Sequence, residues 1–92
     1  MSISVPTIIN LTLTLANTEY SQALSSFSSK FMMQCRTLAD LRVSFTAEQS
    51  GTTYFTIPAG SSFKENGTFV GVLTVYVQSP SAGVVVEFLE WR

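Results

Sequence analysis

The sequence predicts an all-β chain: a single antiparallel β-sandwich of seven or eight short strands, for which jelly-roll connections are one available form. Three observations predict this. Apolar and polar residues alternate along much of the chain, the period-two pattern of strands with one buried face. Turn signals rich in Gly, Pro, Asn and Ser recur at roughly ten-residue spacing. No segment holds a 3.6-residue period over helical length.

The elements follow in order. Ile3 to Ile8 is extended and interrupted by Pro6, which cannot donate to a ladder, so this piece reads as an edge strand or a free arm. Residues 1–7 are the candidate N-terminal arm. Ile9, Leu11, Leu13 and Leu15 alternate with Asn10, Thr12 and Thr14, which gives a half-buried strand. Ala16–Glu19 reads as a turn and Tyr20–Leu24 as a short strand. Ser25–Ser29 is a polar loop carrying Phe27. Lys30–Arg36 is a strand with Phe31, Met33 and Cys35 on one face. Met32, on the other face, is a lone surface hydrophobe or an interface contact.

Thr37–Asp40 turns the chain into Leu41–Thr46, which alternates cleanly. Ala47–Gly51 is a loop in which Gly51 is expected to supply a special backbone angle. Thr52–Ile57 is β-branched and aromatic, hence a strand, and Pro58-Ala59-Gly60 stops it. Ser61–Glu65 is a short strand ending at Asn66-Gly67. A loop holding Phe69 and Gly71 leads to a strand from Val72 to Gln78. Ser79–Gly83 is a turn cluster, and Val84–Trp91 is the last strand. Its alternation sends Val84, Val86 and Phe88 one way and Val85, Glu87, Leu89 and Trp91 the other, so both faces are substantially apolar. A two-layer sandwich needs only one such face. The second face is expected to be covered by the N-terminal arm or by a neighbouring subunit.

Ninety-two residues make one domain, 1–92, with one modest core. Oligomerisation is a common source of added stability at this size. Charged residues are only 12 %, about half of the usual ~25 %. Either Thr and Ser fill the outward strand positions, or much of the surface is buried against neighbours, where charge is depleted. The net charge is −1, and Lys30, Arg36, Arg42, Lys64 and Arg92 form no run. Nucleic-acid binding needs a basic stripe, so it is not expected. No apolar stretch approaches the ~20 residues of a spanning helix. The first residues lack the charged and apolar regions of a signal peptide, so synthesis and folding in a cytoplasm are expected.

The chemical inventory is sparse. The chain has no His, one Cys and six carboxylates. Cys35 has no partner for an internal disulfide and reads as a small buried hydrophobe. A reactive thiol would want a His or a cationic neighbourhood. Glu87 and Glu90 are three apart on a strand, so they point to opposite sides and cannot share a reaction centre. No metal-ligand spacing and no phosphate-binding loop occurs. No enzyme activity, catalytic residue, cofactor or metal is expected. Asn10-Leu11-Thr12 and Asn66-Gly67-Thr68 match the N-glycosylation pattern and are read as chance matches. Tyr20, Tyr54, Tyr76 and Trp91 suggest a sugar-stacking platform as an alternative to core packing, although no acidic or amide cluster sits beside them.

Three stretches carry a resemblance: Ala16–Leu24, Thr56–Glu65 and Gln78–Glu87. Together they resemble small all-β virion structural proteins of tailed bacteriophages, over about Ile9 to Trp91. The shared features are turn-and-strand patterns, with no catalytic signature among them. The resemblance implies a head decoration or cement protein that contacts the major capsid protein or other virion proteins, works as a homo-oligomer and resides in the virion after synthesis in the host cytoplasm. It does not fix a threefold contact of the kind such proteins often form. A head-tail connector or tail component is the first alternative. A small carbohydrate-binding module is the second. The expected contact residues are Ile3, Val5 and Pro6 in the arm, Phe27 and Phe69 in loops, and Trp91.

Overall fold

The computed structural model describes residues 6–24, 30–66 and 73–91. These residues form eight strands: β1 Thr7–Leu13, β2 Tyr20–Ala23, β3 Lys30–Cys35, β4 Leu41–Ser44, β5 Phe55–Ile57, β6 Ser62–Asn66, β7 Thr74–Gln78 and β8 Val84–Trp91. They lie in two four-stranded sheets. Sheet I has the order β1-β8-β3-β6 and sheet II the order β2-β7-β4-β5. Every pairing is antiparallel.

The connectivity is a nested hairpin rolled onto itself. β4 pairs with β5, β3 with β6, β2 with β7 and β1 with β8. The roll adds β3 to β8 and β4 to β7. This is jelly-roll order, so the expected sandwich has that form.

Period-two alternation builds the core. Along β8, Val84, Val86, Phe88 and Glu90 are buried, while Val85, Glu87, Leu89 and Trp91 are half-buried. Phe31 and Met33 enter from β3, Leu41 and Val43 from β4, Ile57 from β5, and Val75 and Val77 from β7. At the β3/β6 and β4/β5 edges, four rings close a circuit. Phe31 meets Phe63 and Phe45, and Phe55 meets both of those, with centroids 4.8–6.4 Å apart. Edge-to-face and tilted pairs of this kind add to the burial term.

Four sequence expectations need correction. Leu15 lies beyond the end of β1 and is 60 % exposed. The ladder closes where the Gly83 amide donates to the Leu13 carbonyl at 2.8 Å, and the chain then turns through Asn17 at φ 53°. Residues 52–54 are not strand, because the Thr52 and Thr53 amides donate to the Gln49 carbonyl and form a turn instead. The left-handed residue of that loop is Glu48 at φ 66°, not Gly51. Finally, Thr7 belongs to β1, so an arm can comprise only what precedes it. β1 does lie at a sheet edge and starts directly after Pro6, which itself stays out of the ladder.

Inward and outward positions should respond very differently to truncation. Phe88→Ala is expected to cost about 3–5 kcal/mol through its cavity, whereas Leu89→Thr, one residue on, should cost about 0.5 kcal/mol or less. Urea unfolding of the two variants checks this.

Candidate functional site

Each sheet has an outward face, and the chain treats the two differently. On sheet II the outward residues include Arg42 and Ser44 of β4 and Gln78 of β7, with Arg42 opposite Gln78 in the ladder. Ser44 and Gln78 are nevertheless buried. Residues 48–51 fold back against this part of the face, held to Gln78 and Glu19. Ser50 is fully buried there, and a Cβ on Gly51 would sit 3.2 Å from the Gln78 amide nitrogen. The backbone angle of Gly51 is ordinary, and a side chain there would press the Gln78 amide back by a few tenths of an ångström.

A directed chain of hydrogen bonds fastens this strap. Arg42 Nη1 donates to Gln78 Oε1 at 2.8 Å, and Gln78 Nε2 donates to Ser50 Oγ at 3.0 Å. The Ser50 hydroxyl donates to Glu19 Oε1. The same carboxylate accepts the Ser50 amide at 3.0 Å and the Glu48 amide at 2.8 Å. Arg42 Nη2 reaches Asn17 Oδ1 at 3.2 Å. A cation and an anion therefore terminate the chain, and charge-assisted bonds are the stronger kind. Burial pulls the Glu19 pKa upward, but the Ser50 hydroxyl and the Glu48 and Ser50 amides outweigh it, and the carboxyl titrates below its ordinary value.

Sheet I has no such cover among the described residues. Its outward residues form rows across the strands. One row is polar: Asn10 of β1, Glu87 of β8, Gln34 of β3 and Ser62 of β6. The next is apolar: Ile8, Leu89 and Met32, ending in Lys64. Trp91 and Lys30 follow, with Lys30 Nζ 4.5 Å above the indole. Ile8 is 71 % exposed. Ile8, Met32, Gln34, Glu87 and Leu89 line a shallow open depression of about 180 Å³.

Glu87 is held in place on this face. Gln34 Nε2 donates to Oε1 at 3.1 Å and Arg36 Nε to Oε2 at 3.0 Å. Gln34 first, and then Arg36, lower its pKa below the ordinary value. Glu90 lies on the opposite side of the sheet, buried against the core. The two carboxylates do not converge. Among the described residues no three His, Cys, Asp or Glu side chains gather into a metal-binding group.

The expected contact residues are distributed as follows. Trp91 stands on the outward face of sheet I, and Pro6 is half-buried just before β1. Ile3, Val5, Phe27 and Phe69 lie outside the described residues. Met32, Leu89 and Trp91 share one face, as alternation implies. Ile8 joins them through its register with Leu89. That pairing needs the β1–β8 ladder and has no local sequence signal. The four aromatics considered as a sugar platform do not share one face, although Tyr54 and Tyr76 both lie on the outward side of sheet II. Trp91 is on sheet I and Tyr76 points outward on sheet II. Arg42 Cζ lies 5.9 Å from the Tyr54 ring, and the Tyr20 hydroxyl accepts the Leu15 amide. Cys35 is half-buried, its Sγ 3.6 Å from Thr37 Oγ1.

No protein-family model matches the chain, and no curated protein does. A solved structure of similar fold is the solution NMR structure of a de novo designed double-stranded beta-helix. The likeness covers 96 % of this chain and 99 % of that one, with a TM-score of 0.53 and 14 % identity. At that identity it shows the fold alone.

Two substitutions test the strap. Glu19→Gln weakens the bonds to residues 48 and 50 and should cost about 1–3 kcal/mol at neutral pH. Because the folded pKa of Glu19 is lowered, its contribution is present above the ordinary carboxylate pKa and is lost as pH falls through the folded value. Glu87 titrates in the same sense, so the wild-type chain should lose stability in acid and Glu19→Gln should lose less; denaturant midpoints against pH read the difference. Glu48→Gly keeps the amide and removes the left-handed penalty. It should raise stability by about 0.5–1 kcal/mol, readable as an upward shift in the thermal midpoint.

Proposed function

We propose that this chain is a structural protein of a tailed-bacteriophage particle, a decoration or cement protein that stabilises the head through subunit contacts. The observation that carries the proposal is the asymmetry of the outward faces. Part of one is covered by the chain's own residues 48–51. The other presents Ile8, Met32, Leu89 and Trp91 beside an open depression. An exposed Ile8 beside half-buried Met32, Leu89 and Trp91 supports a docking face. Jelly rolls also recur among viral capsid domains.

The mechanism is mechanical. Each copy lays its sheet I face across a junction between capsid subunits and removes apolar surface from water on both sides. Rigidity matters, because a preorganised face has little ordering entropy to lose on binding. Modest individual contacts suffice when every copy sits on a lattice, since loosening the lattice means breaking many of them. Homo-oligomerisation would add to this by linking neighbouring contacts into one multivalent unit. The setting in a phage particle rests on the resemblance of the sequence to phage virion proteins.

A connector or tail component uses the same docking chemistry at a few positions, so copy number separates it from decoration. The carbohydrate-binding alternative would rest on Tyr54 and Tyr76 alone, since Tyr20 and Trp91 lie elsewhere.

Quantitative mass spectrometry of purified particles, referenced to the major capsid protein, tests the proposal. A copy number near that of the capsid protein is expected. A many-fold lower ratio assigns the chain to the connector or tail, and its absence from the particle overturns the virion role.

A further inference from the structure

The outward face of sheet I is also charged, and unevenly so. Among the described residues it carries three cations, Lys30, Arg36 and Lys64, and one carboxylate, Glu87, for a formal net of +2. Arg36 and Glu87 are 3.0 Å apart and offset each other within the face. Two ammonium groups remain. Lys64 stands opposite Met32 in the β3–β6 ladder and has no ion pair among the described residues. Lys30 stands opposite Trp91 and lies over its ring. Both border the apolar row. The chain as a whole carries −1, and its other carboxylates lie elsewhere. Glu19 and Glu48 are at the strap, Asp40 holds the Ala59 amide in a turn, and Glu65 alternates away from Lys64 along β6.

We infer that this face takes a neighbouring virion subunit whose surface sets carboxylates around an apolar side chain. The inference rests on the virion reading above and specifies the chemistry of its contact. The apolar side chain enters the depression between Ile8, Met32 and Leu89, and the carboxylates meet Lys30 and Lys64 at its border. Complementary charge at a rim guides encounter and fixes register. A second copy of this chain fits poorly on the same face, because two faces of net +2 would oppose each other. Two lysines are also too few for the phosphate contacts that sustain nucleic-acid binding. An anionic membrane would gain only about 1 kcal/mol from each.

The test is rebinding to heads assembled without this chain, using the full chain as wild type, as Lys30→Glu/Lys64→Glu and as Thr56→Glu. Thr56 is exposed on sheet II and serves as a charge control. Wild type and Thr56→Glu should bind alike, and the double variant should bind about tenfold more weakly or worse. Rising salt should weaken wild type more than the double variant. If the double variant does not fold by circular dichroism, Lys30→Gln/Lys64→Gln replaces it, with a smaller loss expected. Equal binding of wild type and the lysine variants overturns the inference and leaves the virion role standing. Failure of wild type to bind heads overturns both. Tighter binding of wild type to anionic phospholipid vesicles than to heads reassigns the face to a membrane and overturns the inference.

Discussion

A sandwich of two sheets has four faces, and its core covers two of them. The rest of this structure follows from how the other two are managed. With only 12 % charged residues, the chain cannot solvate both outward faces with ionic side chains. It covers part of one with its own backbone. It leaves the other carrying a row of Ile8, Leu89 and Met32. β8 is the pivot of this arrangement, because it is bonded on both sides and its eight residues serve the core and the open face alternately.

The covered face shows how a weakly charged chain buries polar groups without loss. Gln78 and Ser50 are buried, and among the described residues no buried side-chain nitrogen or oxygen lacks a partner. Each link of the chain from Arg42 to Glu19 donates in one direction, so every hydroxyl and amide is used. A half-satisfied network would be worse than an apolar one. Here it is complete, and it holds Glu48 in a left-handed conformation that an isolated loop would avoid. The strap, the turn at Asn17 and the end of β7 are therefore one unit, although their residues lie far apart in sequence.

Much of the fold was legible because alternation is a local property. The inward set Val84, Val86 and Phe88 and the outward set Leu89 and Trp91 follow directly from it. The errors occurred where local pattern competes with closure. Leu15 continues the alternation of β1, yet its partner strand has already ended at the Gly83 turn. Thr52 to Tyr54 have strand composition, yet Gln49 captures the amides that a ladder would need. The strap was not legible at all. Glu19 and Ser50 are 31 residues apart, and nothing in either neighbourhood announces the other. The open face was half legible: Lys30, Met32, Leu89 and Trp91 through alternation, Ile8 and Lys64 only through register.

Sheet I is the proposed docking face, and part of sheet II is covered by the chain itself. Hydroxyl-radical footprinting, comparing the free chain with the chain on the particle, tests this assignment most directly. Oxidation of Met32 and Trp91 should fall on the particle while that of Tyr54 and Tyr76 stays unchanged. Protection of the tyrosines with Met32 and Trp91 still reactive would contradict the account and move the contact to the strapped face.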